Sequence, residues 1–94
     1  MSGRGKFRLG DFFYQETGRM PSGGRRLRVW GSDGKTEFGT IGRRGQDRGG
    51  YATWLPDGKR LPLWPVPGSQ AEAAGALREF VEAAAENAGG PAHL

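Results

Sequence analysis

The chain has 94 residues, a net charge of +4, 35% hydrophobic residues, 18 glycines and 6 prolines, and no cysteine. That length suits one domain with a modest core, and the glycine and proline share predicts loose ends. The missing thiols exclude a disulfide framework, a thiolate metal site and a cysteine nucleophile, while no apolar run approaches the ~20 residues of a membrane span and no leader-type segment opens the chain, so a soluble cytoplasmic protein is expected.

Residues 1–24 read as a flexible basic and aromatic N-terminal arm and loop. Within them FRLGDFFYQE (7–16) is ambiguous between a strand and a short helix. Its aromatics Phe7, Phe12, Phe13 and Tyr14 are too many to leave in water, so part of the arm should pack on the domain or on a partner. Residues 17–24 carry three glycines and a proline and read as a loop.

From residue 25 the pattern changes. RRLRVW (25–30) alternates strictly, with Leu27 and Val29 on one side and Arg26, Arg28 and Trp30 on the other, as in a half-buried strand. A turn at 31–34 leads to a second strand over 35–41. Residues 42–50, GRRGQDRGG, form a glycine-punctuated loop with Arg43, Arg44 and Arg48. Residues 51–55 and 60–66 are strands joined by Pro56-Asp57-Gly58, whose turn chemistry closes a hairpin. Pro62 and Pro65 place the second of these at a sheet edge or end it early. Ser69 and Glu72 are spaced as a capping box, and Ala73, Ala76, Leu77, Phe80, Val81 and Ala84 recur at helical spacing behind it. Gly89, Gly90 and Pro91 stop the helix, leaving 89–94 as a disordered tail.

These elements predict an α+β domain over 25–88: an antiparallel three- or four-stranded β-meander packed against one C-terminal helix near 70–86. Leu27, Val29, Phe38, Ile41, Trp54, Leu61, Leu63, Leu77, Phe80 and Val81 are the expected core, and two of the three tryptophans should be interior.

Parts for catalysis are scarce. The only histidine, His93, falls in the tail, so neither an activated nucleophile nor a multi-histidine metal site can be assembled around it. Asp33 and Asp57 have local roles in turns, and the helix glutamates suit a cap and a solvated face. Gly42-Arg43-Arg44-Gly45 lacks the P-loop pattern. A non-enzymatic protein without cofactor or metal is expected.

Charge gives the functional lead. Residues 1–60 hold 13 Lys/Arg against 6 Asp/Glu, whereas residues 61–94 hold one against four. The basic part contains the sheet and the acidic part the helix, which suits one face to a polyanion. Arginine supplies planar, bidentate donors for phosphates and guanine edges. Arg26, Arg28, Arg43, Arg44, Arg48, Lys59 and Arg60, with Tyr51 beside them, are the candidate nucleic-acid contacts. Double-stranded DNA is the expected partner, with single strands or RNA as a variant suited by accessible aromatics.

The run from residue 35 to 86 resembles the three-stranded sheet plus helix of AP2-type and integrase arm-type DNA-binding modules. The resemblance is carried by Tyr51 and Trp54, by Asp57-Gly58-Lys59-Arg60, by the following strand and by Glu72-Ala73. It implies that the sheet face away from the helix enters the major groove, with Arg43, Arg44, Lys59 and Arg60 where the family's contacts fall. Arg26 and Arg28 are candidates on charge alone. From a different class comes an assembly or protein-interaction module, using the aromatic arm (Phe7, Phe12, Phe13, Tyr14) and a free sheet edge.

Overall fold

The aromatic run Phe12-Phe13-Tyr14 favours strand over helix, and in the computed structural model it opens the second strand of a five-stranded sheet. Residues 5–21, 23–44 and 49–89 are described, by backbone alone from residue 87. The strands are β1 (Phe7–Leu9), β2 (Phe12–Arg19), β3 (Arg25–Trp30), β4 (Glu37–Arg43) and β5 (Tyr51–Trp54), followed by α1 (Gln70–Gly89). All neighbours are antiparallel and the spatial order equals the chain order, β1-β2-β3-β4-β5.

The meander backed by a C-terminal helix is as expected, but its strand count and its N-terminal boundary are not. Residues 7–19 are no arm; they form a hairpin paired on β3. Gly10, at a φ of 67°, takes the first place of the two-residue loop between Leu9 and Phe12, the position a type II′ turn reserves for glycine. Conversely, residues 60–66 make no full strand. Arg60 forms one bridge to Trp54, Leu61 donates to the Thr53 carbonyl at 2.9 Å, and Tyr51 donates to the Pro67 carbonyl at 2.9 Å. Pro62 and Pro65 between these anchors cannot donate, so the segment lines the β5 edge without continuing the ladder. Thr53, 1% exposed, fastens it further by donating its hydroxyl to the Leu61 carbonyl.

Two bulges set which side chains face the helix. At Thr17 the β2–β3 register slips, and at Phe38 the β3–β4 register does. The second bulge keeps Phe38 on the helix side, where it meets Phe12 edge-on at 6.3 Å. The core between sheet and helix is Phe12, Tyr14, Leu27, Val29, Phe38, Ile41, Leu61, Ala73, Ala74 and Leu77, with Leu63 and Val81 partly buried against it. Ala73, Ala74 and Leu77 are fully buried, and the small alanines let α1 lie close to β4 and β5. Phe80, expected inside, is 42% exposed because the helix buries the stripe through Leu77 and Val81 instead. Trp54 was also expected inside. It stands half-buried on the opposite face with Trp30, and Trp64 is 90% exposed, so no tryptophan is core.

Two local motifs hold the ends of these elements. The amide of Glu72 donates to Ser69 Oγ at 3.2 Å, the cap the spacing predicted, while the Glu72 carboxylate accepts from the Gly68 amide at 2.8 Å, one residue earlier than a capping box requires. In the β3–β4 turn, Asp33 accepts from the Lys35 and Thr36 amides at 2.8 and 3.0 Å and from the Thr36 hydroxyl at 2.7 Å. Those backbone bonds, with the hydroxyl bond added, lower the Asp33 pKa from 3.8 to about 2.

Candidate nucleic-acid interface

Parity along β3 decides which residues turn away from α1. Leu27 and Val29 enter the core, so Arg26, Arg28 and Trp30 take the helix-distal face. Register carries that face across the sheet: Arg8 opposite Phe13, Phe13 opposite Trp30, Gln15 opposite Arg28, Arg28 opposite Thr40, and Thr40 opposite Trp54. Arg60 joins through its bridge to Trp54, and Lys6 reaches over from the start of β1.

Three cations of this face lie on its tryptophans. Lys6 Nζ stands 3.8 Å from the Trp30 ring centre and also donates to the Gly34 carbonyl at 2.6 Å. The Arg26 and Arg60 guanidinium carbons stand 4.5 and 5.6 Å from the Trp54 ring centre. Such contacts contribute about 0.5–1 kcal/mol each at exposed sites and hold the charge in place. Arg28 Nε lies 3.3 Å from Glu37 Oε2, the one carboxylate in register here among the described residues, in an ion pair not aligned as a hydrogen bond. Arg26 Nε, Arg28 Nε and Trp30 Nε1 are buried donors without a hydrogen-bond acceptor among the described residues. They alternate along a single strand; Arg28 Nε keeps its ion pair with Glu37, and Arg26 Nε and Trp30 Nε1 meet no acceptor among the described residues. A buried donor left unmatched costs about 1–3 kcal/mol.

The predicted contacts therefore divide. Arg26, Arg28 and Arg60 share the distal face. Arg43 and Tyr51 do not: they oppose each other across β4 and β5, in step with the buried pair Ile41 and Thr53, and stand on the helix side. The sequence shows the arginine cluster around residue 43 but not this parity, which the bulge at Phe38 resets between β3 and β4. Arg44 flanks the start of β5 and Lys59 lies beyond its end, so they sit at opposite ends of that strand. Arg48 lies outside the described residues. Lys6 and Arg8, unassigned by sequence, join the face because the Gly10-Asp11 turn folds them back along β2.

Of the aromatics proposed for a protein partner, Phe12 (7% exposed) and Tyr14 (1%) are enclosed in the core, and Phe13 is half-buried on the distal face. Phe7 remains 39% exposed, and Leu9 beside it is 57% exposed. Among the described residues, no three His, Cys, Asp or Glu side chains group closely enough to hold a metal ion, and no helix is long and apolar enough to cross a membrane. The chain matches no protein-family model, no curated protein and no solved structure.

Proposed function

We propose that the protein binds double-stranded DNA, without catalysing a reaction, through the helix-distal face of its sheet. The observation that carries this reading is the convergence of Lys6, Arg8, Arg26, Arg28 and Arg60 on one face, against a single carboxylate in register among the described residues. The helix lies on the other side, and its Glu72, Glu79, Glu82 and Glu86 keep negative charge there.

Geometry limits how such a face docks. Five strands at about 4.8 Å spacing make a surface about 19 Å across, whereas a major groove is about 12 Å wide. The whole sheet is too broad to enter as the three-stranded AP2-type sheet is implied to do. It spans the groove and meets phosphates on both sides, so affinity comes from backbone contacts more than from base edges. The cations already stacked on Trp30 and Trp54 also favour phosphates over unpaired bases, because those rings offer less open surface for base stacking.

The test is a titration of the protein with random-sequence duplex DNA across a salt series. With five cations engaged, log affinity should fall with log salt at a slope of about −4 to −5. The double variant Arg26→Gln/Arg28→Gln should lower that slope by about 2. Absence of binding at low salt, or an unchanged slope in a folded variant, would reject the proposal.

A second reading rests on Phe7 and Leu9, exposed on the edge strand β1, where a protein partner can add a strand. A larger-than-monomer species that disappears in Leu9→Lys would favour it.

A further inference from the structure

Arg43 and Tyr51, which stand off the distal face, belong with Arg19 and Arg25 to a site of their own. Arg19 pairs directly with Arg25 across β2 and β3, and Arg43 pairs with Tyr51 across β4 and β5. Arg25 and Arg43 are each one step beyond the Arg26–Gly42 pair, so Arg19, Arg25, Arg43 and Tyr51 make one cross-strand row. The row exists because of the bulge at Thr17. Without that slip Arg19 would turn to the distal face; with it, three guanidinium-bearing residues stand side by side on the helix side.

Like charges placed directly opposite on a sheet repel. Here they also surround a cavity of about 370 Å³, floored by Leu27 and walled by Tyr51 and by Gln70 at the start of α1. No carboxylate among the described residues lines it, and Glu16 forms an ion pair with Arg25 at 4.0 Å. Arg19 is steadied by donating to the Gly23 carbonyl at 2.9 Å. Arginine carries five donors, so arginines that line one cavity can turn forked donors toward a single tetrahedral oxyanion while keeping their present contacts.

We propose that this row binds the phosphoryl group of a small phosphorylated ligand, on the side of the sheet opposite the DNA face. The cavity leaves room beyond the phosphate for an attached group lying against the half-buried Tyr51 ring. The site uses none of the distal-face residues, so it stands or falls independently of DNA binding.

The first probe is inorganic phosphate, read by thermal unfolding against sodium chloride at equal ionic strength. At tenfold excess over its dissociation constant, phosphate should raise the midpoint by roughly 5–10 °C. The rise should persist in Arg26→Gln/Arg28→Gln and vanish in Arg25→Gln/Arg43→Gln. An equal rise with chloride, or one that survives in the Arg25/Arg43 variant, would overturn the site. Should that variant fail to fold, the arginine side-chain Nε–Hε NMR signals of the unaltered protein give the same answer, since those of Arg19, Arg25 and Arg43 should shift with phosphate. If they move with a duplex oligonucleotide and not with free phosphate, the phosphates they take belong to DNA and the small-ligand site is refuted.

Discussion

Gly39 and Trp54 approach so closely that no side chain fits between them: a Cβ at position 39 would run into the Trp54 carbonyl oxygen and press on Leu77. Gly39 also has a φ of 137°, in the region that side-chain-bearing residues avoid. Backbone clash and backbone strain coincide at one residue of the central sheet. Gly39→Ala should therefore lose about 3 kcal/mol or more, as a shift in the urea midpoint. The Phe38 bulge next to it explains why the chain needs this conformation here.

Leu77 and Phe80 look equivalent in the helical stripe and are not. Leu77 is fully buried against the sheet, whereas Phe80 is 42% exposed. Leu77→Ala should cost about 2–5 kcal/mol, and Phe80→Ala below about 1 kcal/mol. Urea denaturation of the two variants side by side gives the comparison; equal losses would mean that the helix is rotated from the position described.

The Asp33 turn should respond to acid. Its folded pKa, about 2, lies below the ordinary 3.8, so its contribution is fully present above pH 4 and is lost as pH falls toward 2. The amide NMR signals of Lys35 and Thr36 should titrate together with a midpoint near that folded value. Asp33→Asn should remove this titration and loosen the turn.

Removing the helix cap tests the join between edge segment and helix. Ser69→Ala deprives the Glu72 amide of its acceptor and should cost about 1 kcal/mol, read as a lower thermal midpoint. Because Glu72 also binds the Gly68 amide, Glu72→Ala should cost a similar amount.

Local chemistry made much of this fold legible. The alternation in RRLRVW, the turn at Pro56-Asp57-Gly58 and the Ser69 cap each involve neighbours in the chain, and each is present as read. The β1–β2 hairpin carried a signal too, in Gly10-Asp11 between two apolar runs, but its three-residue first strand was too short to display a period. What could not be read were the two bulges. A single extra residue reverses which face every later side chain occupies; Arg43, which reads in sequence as part of the 42–50 loop, is a strand residue that lies with Tyr51 on the side of the sheet away from Arg26 and Arg28. The tryptophans misled for a related reason. Size suggested the interior, whereas their rings serve as platforms for Lys6, Arg26 and Arg60.

The strictly sequential strand order has a consequence for how the molecule is made. Every strand pairs with one already synthesised, so the sheet can assemble hairpin by hairpin as the chain leaves the ribosome, with no distant segment to wait for. Its apolar side has no such luck. Phe38, Ile41 and their neighbours stay wet until Ala73, Ala74 and Leu77 emerge, and in that interval the nascent sheet is a sticky, one-sided ribbon.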